Sequence, residues 1–114
     1  MKKDFTTYEQ ALALKELGFD EECFAWYVSK EWGLEFGRVI KSDLIKDAVL
    51  APTYSQALRW FRDNHNYHHT IQHGKKYVGV VYYSIVNFSI DEFDKYEEAE
   101  SACLDKLIEI VKDK

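Results

Sequence analysis

The sequence predicts an α+β domain with the order α-ββ-α-ββ-α, in which two hairpins form one antiparallel four-stranded sheet and the helices pack mainly on one face. Three observations carry that expectation. A Tyr-x-(Gln/Glu)-Ala signature recurs at Thr7-Tyr8-Glu9-Gln10-Ala11, Thr53-Tyr54-Ser55-Gln56-Ala57 and Lys95-Tyr96-Glu97-Glu98-Ala99, each time opening a stretch of helical periodicity. Between the copies lie β-branched and aromatic runs interrupted by turn segments. A chain of 114 residues that is 46% hydrophobic and 16% aromatic suits a single domain, residues 1–114, with one bulky core.

The first helix is expected from about Tyr8 to Leu17. Thr7 stands three residues before Gln10, the spacing of a capping box, and Gly18 followed by Phe19 is a left-handed stop with an apolar residue behind it. Cys23 to Ser29 and Leu34 to Ile40, separated by Lys30-Glu31-Trp32-Gly33, read as a β-hairpin. Residues 41–52 fit a short helical turn or an irregular loop. Pro52 then precedes a second capping box at Thr53 and Gln56, and Tyr54, Ala57, Leu58 and Phe61 form one apolar stripe at i, i+3, i+4 and i+7. Asn64-His65-Asn66 suits a helix end. A second hairpin runs from Tyr67 to His73, turns at Gly74-Lys75-Lys76 and returns from Tyr77 to Phe88, a central strand by composition. In the last helix Asp94 and Glu97 supply the capping spacing, and Ala99, Cys103, Leu107, Ile110 and Val111 make the buried stripe, widened by Ala102, Leu104 and Ile108.

Helices on one sheet face would leave the other partly open, with some of Trp26, Tyr27, Trp32, Tyr77, Tyr82 and Tyr83 on it. Such a surface either self-associates or binds a partner protein. The formal net charge of −5 argues against general nucleic-acid binding, which calls for a basic face. The charge is uneven, however. Acids outnumber lysines at both ends, whereas Arg38, Lys41, Lys46, Arg59, Arg62, Lys75 and Lys76 face only Asp43, Asp47 and Asp63 in the middle. A solvated, charge-balancing face accounts for this; an anion-facing patch is the sharper reading.

No run approaches the roughly 18 apolar residues of a membrane span, and Met1-Lys2-Lys3-Asp4-Phe5 does not lead into an apolar leader segment, so the chain reads as cytoplasmic and away from membranes. Cys23 and Cys103 lie in apolar stretches and read as buried free thiols, neither paired nor catalytic. His65, His68, His69 and His73 lack ligand spacing once the segment is extended, so no metal and no other cofactor is expected. The glycines are isolated and form no phosphate loop.

The constellation selected as a binding site is Arg59, Trp60 and Arg62 with Lys75 and Lys76: two guanidiniums on one helix beside an indole, near a lysine-rich turn, suited to a phosphate or an acidic protein surface. The competing reading puts Trp60 at the core margin and pairs the arginines with Asp63 or other acids.

Leu14-Lys15-Glu16-Leu17-Gly18-Phe19-Asp20-Glu21, the segment Ala51 to Arg62 and the segment Tyr96 to Ile110 carry a resemblance. With these residues the chain resembles a family of short uncharacterised proteins encoded by Bacteroides-type bacteria, their phages and mobile elements. The resemblance covers both ends and the middle helix, implies a mobile-element accessory role and supplies no catalytic residue. The leading expectation is therefore a small non-enzymatic binding protein that acts on a host or mobile-element protein, through the open sheet face or the basic middle, as a monomer or homodimer. The alternative is a small anion or nucleotide binder, such as a sponge for a defence signal, using Arg59, Arg62 and Lys75. An enzyme is disfavoured, because no acid, base and nucleophile set assembles from the sequence.

Overall fold

The structure, a computed structural model, describes residues 2–44 and 47–113; Ile45 and Lys46, part of the 41–52 segment and of the basic middle, lie outside the described residues. Contacts divide the chain into two compact units, Met1–Thr53 and Tyr54–Lys114. The element order is α-βββ-α-βββ-α.

In the first unit, a short 3-10 turn at Lys2–Asp4 precedes helix α1, Tyr8–Glu16. The capping box forms as the sequence requires: the Gln10 amide N–H donates to Thr7 Oγ1 at 3.2 Å, and the Thr7 N–H donates to Gln10 Oε1 at 3.0 Å. The helix stops at Gly18, φ 99°, where the Phe19 N–H donates to the Leu14 carbonyl and the Gly18 N–H to that of Lys15. This is a Schellman stop, and it drives Phe19 into the interior. Strands β1 (Cys23–Tyr27) and β2 (Leu34–Val39) form the expected hairpin. The open segment resolves into a 3-10 turn at Lys41–Asp43 and a two-residue strand β3, Val49–Leu50, which pairs with the other edge of β1. Alternation places Cys23, Ala25 and Tyr27 inward, where Ala25 and Tyr27 join Ala11, Val49 and Ala51 in one buried cluster. Tyr27 keeps its hydroxyl satisfied there by donating to the Thr6 carbonyl at 2.7 Å.

The second unit opens with α2, Tyr54–His65, directly after Thr53, and the expected stripe of Tyr54, Ala57, Leu58 and Phe61 is buried. Asn66 leaves the helix with a left-handed φ of 57°. Strands β4 (His68–His73), β5 (Tyr77–Tyr83) and β6 (Val86–Phe93) follow as an antiparallel meander, and α3, Tyr96–Lys112, closes the unit. Gly79 of β5 lies directly under Cys103 of α3, so Tyr77, Gly79, Val81 and Tyr83 share the helix-covered face. On α3 the buried residues are Ala99, Cys103, Leu104, Leu107, Ile108 and Val111; Ile110 is only half-buried.

The expected single four-stranded sheet is overturned by two separate three-stranded antiparallel sheets, ordered β2-β1-β3 and β4-β5-β6. The physical reason is edge occupancy. β3 takes the second edge of β1 and β6 that of β5, so each hairpin gains its third strand from its own unit. The long strand expected over Tyr77 to Phe88 instead reverses at Ser84-Ile85, where Ser84 takes a left-handed φ of 56° and Tyr83 pairs with Val86. The cap of α3 also differs. Lys95 occupies the N-cap without a side-chain bond, and Asp94, the expected cap, is 3.5 Å from Lys76 Nζ.

Candidate functional site

Arg59 and Arg62 lie three residues apart on α2 and are both exposed, so they share one helix face. Arg62 Nε is 3.3 Å from Asp63 Oδ1, an exposed pair that contributes about 0–1 kcal/mol. Trp60, between them, is only 6% exposed and stands edge-on to Phe61 at 5.1 Å and to His65 at 5.0 Å. Its indole is a core element and offers no free face to a ligand.

Lys75 and Lys76 occupy the β4–β5 turn, and Lys76 faces Asp94. Strand register places them away from His69. Arg62 acts on His69, which pairs with Val81, whereas the lysines lie beyond His73, which pairs with Tyr77. At about 3.3 Å per residue, His69 and His73 alone are roughly 13 Å apart. Lys75 and Lys76 therefore lie more than four residues along the chain from His69, the ring on which the charge of Arg62 acts.

The histidines act as ring partners within the second unit. His68 stacks on Tyr82 at 5.4 Å and His73 on Tyr77 at 4.2 Å, while His65 sits against Trp60 and Phe61. Among the described residues no three His, Cys, Asp or Glu side chains are grouped to hold a metal. Burial, reinforced by Arg62 and His68, holds the His69 imidazole below its ordinary value of about 6.5. A depressed histidine contributes stability above pH 6.5 that is lost as the pH falls through its folded value. Arg62→Glu is expected to move the His69 midpoint upward in an NMR pH titration; an unchanged midpoint would show that the guanidinium does not face the ring.

Both thiols are fully buried. Burial pushes Cys23 up to about 12, with Glu21 and Glu22 adding to the shift, and Cys103 up to about 11, with Glu100 adding to it. Each stays protonated near neutrality and is a poor nucleophile there.

Of the aromatics expected on an open face, Tyr27 is in the first core, Tyr77 and Tyr83 are on the helix-covered face, and Tyr82 points to the opposite side with Val78 and Val80. Trp26 is half-buried and Gly37 packs over its ring. Trp32 is 72% exposed in the β1–β2 turn and donates its indole N–H to Glu35 at 2.9 Å. The feature that sequence reasoning missed is the β5–β6 tip. Tyr83, Ile85 and Val86 are all exposed there, Ile85 at 91%. The only signal for it was Ser84, a weak turn residue inside an otherwise strand-like run.

No helix among the described residues is long and apolar enough to cross a membrane. Comparison with family models, with curated proteins and with solved structures finds no match to this chain.

Proposed function

We propose that this chain is a non-enzymatic protein-binding module whose contact surface is the β5–β6 hairpin tip. The observation that carries the reading is the 91% exposure of Ile85 between exposed Tyr83 and Val86. Burying an isoleucine side chain is worth about 1.5–3 kcal/mol, and hairpin tips ordinarily hold Gly, Asn or Asp. Three apolar residues within four positions, presented by a two-residue turn, match the apolar anchor of a protein contact. The charge of Arg62 acts on His69, one pair along the sheet from the His68–Tyr82 pair, and supplies a cation for an acidic rim. The resemblance of the three helices makes a host or mobile-element protein the expected partner.

The test is capture of a partner by parent, Ile85→Asp and Arg62→Glu proteins. Ile85→Asp is expected to abolish capture and to shift stability by no more than about 0.5 kcal/mol, since the side chain is in water. Arg62→Glu is expected to weaken capture and reduce its salt sensitivity. Equal recovery by parent and Ile85→Asp would sink the hairpin-tip assignment. A second reading, small-anion or nucleotide binding, draws support only from Arg59 and Arg62 sharing a helix face; calorimetric titration with a nucleotide, lost on Arg59→Glu, would favour it.

A further inference from the structure

A cleft of about 370 Å³ opens in the first unit beside the end of α1, within the size range of small-molecule sites. Its apolar lining includes Ala11, Phe19 and Val49, which are 1%, 3% and 0% exposed. The wall is built rather than incidental, because the Schellman stop at Gly18 holds Phe19 in place and pairing with β1 holds Val49. The polar lining is Lys15, Lys41 and Asp47, all exposed. Among the described residues neither lysine has a carboxylate within ion-pair distance, so the rim carries a net charge of +1.

Two neighbouring clefts of the same unit contrast with it. They are about 280 and 400 Å³ and have Arg38 and Asp43 in their linings, where Arg38 is already paired with Glu22 and Asp43 accepts from the Ile40 N–H. Their charged linings sum to −1 and to zero, so neither presents a net positive rim. Of these three, the cleft beside α1 joins buried apolar walls to two cations without partners among the described residues.

We propose that this cleft binds a small amphipathic carboxylate, with its apolar body against Ala11, Phe19 and Val49 and its carboxylate between Lys15 and Lys41. The volume corresponds to about a dozen water-sized spaces, which suits a body of roughly eight carbons with a carboxylate head. An apolar pocket with few placed charges takes its orientation and specificity from the charged end of the ligand. A neutral ligand would leave two ammonium groups with no counter-charge gained, and a cationic ligand would be repelled.

The experiment is a titration of the isotopically labelled full chain with octanoate, octan-1-ol and octylammonium, followed by amide NMR. Octanoate is expected to move the amides of Ala11, Phe19 and Val49 saturably and to bind about tenfold or more tightly than octan-1-ol, with octylammonium weaker still. Lys15→Glu/Lys41→Glu should remove the preference for octanoate over octan-1-ol while leaving the remaining amide spectrum folded, and Lys15→Gln/Lys41→Gln should give an intermediate preference. Equal affinity for octanoate and octan-1-ol, saturable shifts confined to residues outside the cleft, or no shifts at all would each overturn the assignment. The Ile85→Asp variant should bind octanoate like the parent, so failure here is distinguishable from failure of the hairpin-tip reading.

Discussion

A Gly79→Ala variant is expected to unfold at markedly lower denaturant than the parent, with a loss of about 1–3 kcal/mol. A Cβ at this position would stand 2.7 Å from Cys103 Sγ, 3.5 Å from the Ala99 carbonyl oxygen and 3.6 Å from Ile90 Cδ1. The neighbours have little room to yield, because Ala99 and Cys103 are both fully buried where α3 crosses β5. The penalty is steric, since the backbone of Gly79 is outside the left-handed region and an alanine would otherwise gain about 0.4–1 kcal/mol through the unfolded chain. That origin makes a second statement testable. Combining Gly79→Ala with Cys103→Ala should recover part of the loss, giving a coupling of about 1–2 kcal/mol in a double-mutant cycle by urea denaturation. Additive losses would mean that the two residues do not share the contact, and coincident melts of parent and Gly79→Ala would remove the argument altogether.

Phe61→Ala is expected to cost about 3–5 kcal/mol, a large share of the roughly 5–15 kcal/mol that holds a domain together. Phe61 is fully buried, it lies 5.1 Å from the Trp60 ring and 5.8 Å from that of His65, and its carbonyl accepts the Tyr67 N–H that turns the chain toward β4. Removal of the ring leaves a cavity in the face of α2 that the second unit buries. Phe61→Leu, which refills most of that volume, should lose less than half as much. Denaturant unfolding and the near-ultraviolet dichroism of the adjacent Trp60 provide the readout. A Phe61→Ala protein within 1 kcal/mol of the parent would contradict the placement of this ring in the core. The contrast with Ile85→Asp separates the two apolar populations: Phe61 contributes to stability, and Ile85, left in water, does not.

The local signals were legible wherever a few adjacent residues decide the outcome. Thr7 and Gln10 satisfy one another's backbone, Gly18 and Phe19 end α1 as their types require, and the Tyr54, Ala57, Leu58 and Phe61 stripe is buried as spaced. The strand-like runs at Cys23–Tyr27, Leu34–Val39 and His68–His73 were equally readable. The places misread or left open lack such self-sufficient chemistry. Ser84-Ile85 contains neither glycine nor asparagine, so only the weak turn residue Ser84 marks the boundary between β5 and β6, and Val49–Leu50 is too short to show alternation.

The candidate sites follow the same division. Arg59 and Arg62 are neighbours by helical spacing alone, but Trp60 between them turned inward, and Lys75 and Lys76 lie beyond His73 in the β4–β5 turn. Lys15 and Lys41 are far apart in sequence and line one cleft only because the Schellman stop, the 3-10 turn at Lys41–Asp43 and β3 frame it. Sequence by itself determined the three helices, the cap and stop of α1 and most of the buried helix stripes, because those depend on hydrogen bonds and spacing within four residues. The tertiary structure alone decided how many sheets form, which apolar residues stay in water and which charges share a pocket. Each of those outcomes depends on strand pairing and on contacts between residues that sequence keeps apart.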